Sequence, residues 1–91
     1  MKRTFHQNRH ALHGITVVVD TAGDAVYVGR CDDIVEEGVI LLQGAVHREG
    51  EDGLSKQEYL RRAAALGVWK AFDRLVLPLD EVREIRRLSE Y

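Results

Sequence analysis

Cysteine, proline, tryptophan and methionine each occur once in this chain of 91 residues. A single cysteine, Cys31, cannot form an internal disulfide, and it points to a reducing compartment. Long hydrophobic runs are missing too. The run Gly38 to Leu42 stops at Gln43, and no run approaches the ~20 residues that span a bilayer. No apolar stretch follows the charged N-terminus, Met1 to His10, so a secretory leader is not expected. A cytoplasmic protein without a membrane partner is the expectation.

A hydrophobic fraction of 45% and a charged fraction of 31% are ordinary for a globular chain. Its length fits one domain, residues 1–91. So short a chain buries only about 60–65% of its unfolded surface, and small domains often gain stability by associating with copies of themselves. The net charge of −2 hides an asymmetry: residues 1–14 carry Lys2, Arg3 and Arg9 with no acid, leaving about −5 on the rest. Such an arm could touch a nucleic-acid backbone. Three cations make a small arm, and a solvated terminus is the plainer account.

Phe5 and Leu12 lie on one helical face, so residues 1–13 are expected to form a short helix ending at Gly14. The β-branched run Ile15-Thr-Val-Val-Val then favours a strand. Thr21-Ala-Gly-Asp24 is a turn, and Ala25 onward resumes a strand, so residues 15–31 are expected to be a hairpin. Gly29 inside it suggests a bend or a close backbone approach. Asp32 to Glu37 is expected to be an acidic connection. Gly38 opens a third strand whose continuous apolar stretch implies burial on both faces.

Ser55-Lys-Gln-Glu58 is a capping box, and Leu54 with Tyr59 can form the hydrophobic staple. It starts a helix, expected within residues 55–71, with Tyr59, Leu60, Ala63, Ala64, Leu66 and Trp69 as its apolar face. Gly67 suits its end, or is tolerated inside at a cost of ~1 kcal/mol relative to Ala. Arg74 to Pro78 is a fourth strand, which must end or lie at an edge at the proline. Val82, Ile85 and Leu88 are spaced for a helix, but a turn and short strand would also put Val82 and Ile85 in a core. The strand is preferred because of a resemblance.

Ile15-Thr-Val-Val-Val, Gly23 to Cys31, Val39 to Ala45, and Leu75 to Ile85 together resemble an Sm-like (SH3-type) small β-barrel across about 60 residues. The resemblance implies a mainly β fold: a five-stranded barrel with a short N-terminal helix and a helix inserted before the fourth strand. It further implies closed rings built by pairing the last two strands across subunits. Leu75, Val76, Leu77, Val82, Ile85 and Trp69 are then the expected interface of a homo-oligomer. RNA-binding members carry an Asp, an Asn and an Arg-Gly pair in a base pocket. Val35, Val39 and Pro78-Leu79 stand nearest those places here, so the polar groups that read a base edge are missing.

Other chemistry is thin. His6, His10 and His13 at i, i+4 and i+7 would share one helical face, a geometry that can hold zinc. Surface or contact histidines are the plainer reading. Asp32, Asp33, Glu36 and Glu37 match no loop of known cation geometry. Cys31 has no base nearby in sequence. Arg83, Arg86 and Arg87, with Arg74, could contact an RNA backbone, although Glu81, Glu84 and Glu90 offset them. The expectation is a binding or scaffold module without a cofactor, not an enzyme. The alternative is a nucleic-acid binder using backbone contacts.

Overall fold

The structure is a computed structural model and describes residues 9–91. Five strands form one antiparallel sheet: β1 (Thr16–Thr21), β2 (Ala25–Val35), β3 (Gly38–Arg48), β4 (Phe72–Leu77) and β5 (Val82–Arg87). Their order is β4-β3-β2-β1-β5. A single turn of helix, α1 (Arg9–Leu12), precedes β1, and α2 (Lys56–Leu66) lies between β3 and β4. Of the helix expected over residues 1–13, α1 is the described part; residues 1–8 lie outside it. Among the described residues no helix is long and apolar enough to cross a membrane.

The mainly β expectation holds, but the expectation of a closed barrel does not. Among the described residues β4 pairs only with β3 and β5 only with β1, so the sheet is open at both ends. The physical reason lies in the second face. β1 is buried on both sides: Val17 and Val19 join one core with Cys31, Ile34, Val39, Leu41, Leu77 and Val82, while Val18 joins a second with Val26, Val28 and Leu60. Fully burying each valine contributes roughly 1.5–3 kcal/mol. The inserted helix closes that second core, with Tyr59, Val68, Leu88 and Tyr91 packed around it.

Irregularities in the ladder keep side chains aimed inward. Cys31 pairs with Leu41 and Asp33 with Ile40, so Asp32 is an extra residue, and Ile34 opposite Val39 returns to the first core. β2 therefore continues to Val35, through part of what the sequence suggested was a connection; the turn is confined to Glu36 and Glu37. On β3, Gln43 and Gly44 stand opposite Gly29 alone, and Gln43 takes a φ of 51°. The close approach expected at Gly29 is tightest at Gly44. A Cβ there would lie 2.1 Å from the Val28 carbonyl oxygen and 2.7 Å from the Phe72 ring.

The capping box forms as expected. The Glu58 N–H donates to Ser55 Oγ at 3.1 Å, and the Ser55 N–H donates to Glu58 Oε1 at 3.0 Å. α2 ends at Leu66, where Gly67 suggested an end. Gly67 closes it at a φ of 81°, its N–H bonded to the Ala63 carbonyl. Pro78 terminates β4, a 3-10 turn spans Leu79–Glu81, and Val82 opens a strand rather than a helix.

Candidate functional site

Among the described residues, two strand edges and a groove have functional potential. β4 and β5 each pair with a single neighbour, so alternate backbone N–H and C=O groups face away from the sheet. On β4, Leu77 is buried in the first core, while Leu75 and Val76 are half-buried. Val76 lies opposite Ile40, itself half-buried. On β5, Val82 and Ile85 both reach the first core, because Arg83 is an extra residue between Val82 opposite Thr21 and Glu84 opposite Asp20. The candidate interface residues thus divide between core and edge. Val82 and Leu77 are anchors of the fold, and Val76 sits on the edge strand itself.

The arginines of β5 are exposed and interleaved with acids. Arg86 Nε lies 3.0 Å from Glu84 Oε2, and an Arg83 nitrogen lies 3.9 Å from Asp20 Oδ2. Arg87 is exposed, and its backbone N–H donates to Glu90 Oε2. Arg9 falls in α1, whereas Lys2 and Arg3 lie outside the described residues.

His6 lies outside the described residues, His10 falls in α1, and the His13 ring is hydrogen-bonded through Nδ1 to the Asp32 carbonyl oxygen. Among the described residues no three His, Cys, Asp or Glu side chains converge as metal ligands. Cys31 is buried in the first core; burial, then Asp33 and Asp32, push its thiol up to about 11. His47 lies elsewhere, against α2, so it cannot serve as a base for Cys31.

His47 is the buried polar centre of the insertion. Only 2% exposed, it stacks on Tyr59 of α2 with ring centroids 4.3 Å apart and planes 8° from parallel. Its Nε2 donates to the Leu54 carbonyl oxygen at 2.9 Å, which fixes the proton on that nitrogen. Nδ1 then lies 3.5 Å from Glu51 Oε1. Burial, and after it Glu51, raises the Tyr59 phenol above its ordinary range. Lys56 fastens the start of α2 to the β1–β2 turn: its ammonium donates to Asp20 Oδ1 at 2.9 Å, the Gly23 carbonyl at 2.7 Å and the Thr21 carbonyl at 3.4 Å.

Beside this centre opens a groove of about 580 Å³, between the end of β3, α2 and the segment Gly67–Trp69. Trp69 is 94% exposed, Leu66 79% and Val46 37%, and all three line it. Among the described residues they are the exposed large hydrophobics. The expectation that Leu66 and Trp69 complete the buried face of α2 is therefore corrected. α2 buries Leu60 and Ala63 instead, and the chain turns away at Gly67 before Trp69 can reach that core.

No protein-family model matches this chain, and no curated protein is significantly similar to it.

Proposed function

We propose that this protein is a non-enzymatic Sm-like module that self-assembles through its sheet edges into a ring or other closed homo-oligomer, and acts as a binding scaffold in the cytoplasm. The observation that carries the reading is the strand order β4-β3-β2-β1-β5, which puts the last two strands at opposite ends of one open sheet. An open end that meets its complement on the next copy leaves no unpaired strand, and rotation closes the set. Covered faces support the same reading. With α2 over one side, the strand edges are what a second copy can pair with. The inserted helix and the substitutions Val35, Val39 and Pro78-Leu79 set it apart from base-reading members of that family.

A second reading, contact with a nucleic-acid backbone, is favoured by the exposure of Arg83, Arg86 and Arg87 along β5. Paired acids at Asp20 and Glu84 weaken it, and so does the overall charge of −2.

Light scattering on a sizing column tests both. The expected result is a discrete oligomer free of nucleic acid, reduced to a monomer by Val76→Lys without a change in the circular dichroism spectrum. A wild-type monomer at all concentrations would overturn assembly. Co-eluting nucleic acid would put the second reading first.

A further inference from the structure

The groove beside α2 ends on a piece of strand that β4 does not cover. β4 last pairs at Phe72 with Gly44, while β3 continues to Arg48 and pairs there only with β2. Two hydrogen bonds fix which way its backbone faces. The Glu49 N–H donates to the Asp24 carbonyl, toward β2, and the Gly44 carbonyl accepts from the Ala71 N–H, on the opposite side. Backbone groups alternate along an antiparallel strand, so Val46 and Arg48 face outward with Gly44. The Arg48 N–H is met by Glu51 Oε1 at 3.4 Å. Among the described residues the N–H and C=O of Val46 face no strand, and Val46 lines the groove.

We infer that this groove takes a short extended segment of a partner protein, rich in apolar and basic residues, which adds to the Val46 edge of β3 and packs on Leu66 and Trp69. Three observations meet here. An open strand edge offers main-chain hydrogen bonds, the source of affinity when a peptide adds to a sheet. The exposed large hydrophobics of the described chain gather on the same groove, as at interaction sites rather than by chance scatter. The charges lining it are Glu51 and Asp52 against Arg62, and Asp52 has no hydrogen bond or ion pair among the described residues. A basic segment matches that balance. The tryptophan face adds attraction for an arginine or lysine. This site is separate from the β4 and β5 edges, and it stands whether or not copies of the chain assemble.

Trp69 is the only tryptophan of the sequence, so its fluorescence reports the groove directly. The probe is the blocked peptide acetyl-Arg-Val-Arg-Val-Arg-amide. Two controls are the same peptide with glutamate for arginine, and one with proline for valine, which lacks the N–H groups a strand edge needs. The basic peptide is expected to move Trp69 emission to the blue, to slow amide exchange at Val46, and to bind about tenfold tighter than either control. Leu66→Lys, at an exposed position, abolishes the shift while leaving the urea midpoint unchanged. Equal binding of all three peptides, or none up to millimolar concentration, overturns the proposal. So does an emission that moves with protein concentration alone, which would assign the groove to a second copy of this chain.

Discussion

His47 and Tyr59 stack ring on ring, 4.3 Å between centroids, and this contact joins the end of β3 to α2. Such a pair contributes about 0.5–1.5 kcal/mol beyond the area it buries. A double-mutant cycle with His47→Leu and Tyr59→Leu, read by urea unfolding, is expected to give a coupling energy in that range. Additive single effects would mean that the rings merely fill space.

Lys56 is the second fastening of the helix, with three oxygen acceptors on the β1–β2 turn. Its ammonium and the Asp20 carboxylate are both largely shielded from solvent. Lys56→Met removes the donors and keeps the stem, and it is expected to cost about 1–2 kcal/mol in urea unfolding. Asp20→Asn should cost less, because the two carbonyl acceptors remain.

Glycine positions separate by the space around them. Gly44→Ala forces a methyl group against the Val28 carbonyl and the Phe72 ring, and is expected to cost about 3 kcal/mol or to prevent folding. At Gly23 an added Cβ meets nothing within 4 Å. Gly23→Ala should therefore change the melting free energy by no more than about 0.5 kcal/mol. Thermal unfolding of the two variants side by side makes the comparison.

Acid weakens the start of α2. The Ser55 N–H, and after it the Ser55 hydroxyl, hold the Glu58 carboxyl below its ordinary value of 4.5. A lowered folded-state pKa makes the carboxylate's contribution complete above 4.5, and it is lost as pH falls through the lower value. The urea midpoint of the wild type should thus fall more steeply below pH 4.5 than that of Glu58→Gln. Parallel curves would show that the box is not linked to protonation.

Local chemistry was legible in the sequence wherever it depends on near neighbours. The capping box of Ser55 and Glu58, the strand break at Pro78 and the β-branched run of β1 all formed as read. Strand was correctly preferred for Val82–Arg87 even though its spacing fits a helix. The misreadings concern pairing at long range. Asp32 and Asp33 look like a loop by composition, yet they lie in β2 because the apolar residues Cys31 and Ile34 on either side must both reach one core. Leu66 and Trp69 have the periodicity of a buried face, but a helix's spacing says nothing about where its support ends. Lys56 was hidden inside a cap motif, and only the fold brings Asp20 to it. The groove had no local signal, since Val46 and Trp69 are 23 residues apart in sequence.

The double burial of β1 also bears on the order in which the molecule comes apart. Val17 and Val19 belong to one core and Val18 to the other, so neither layer can melt while the strand between them stays dry. The helix and the rest of the sheet share a single keystone strand. Amide protons of Val17, Val18 and Val19 should be released to solvent only with the whole molecule, and the insertion behaves as part of the founding structure rather than as a decoration that can be trimmed away.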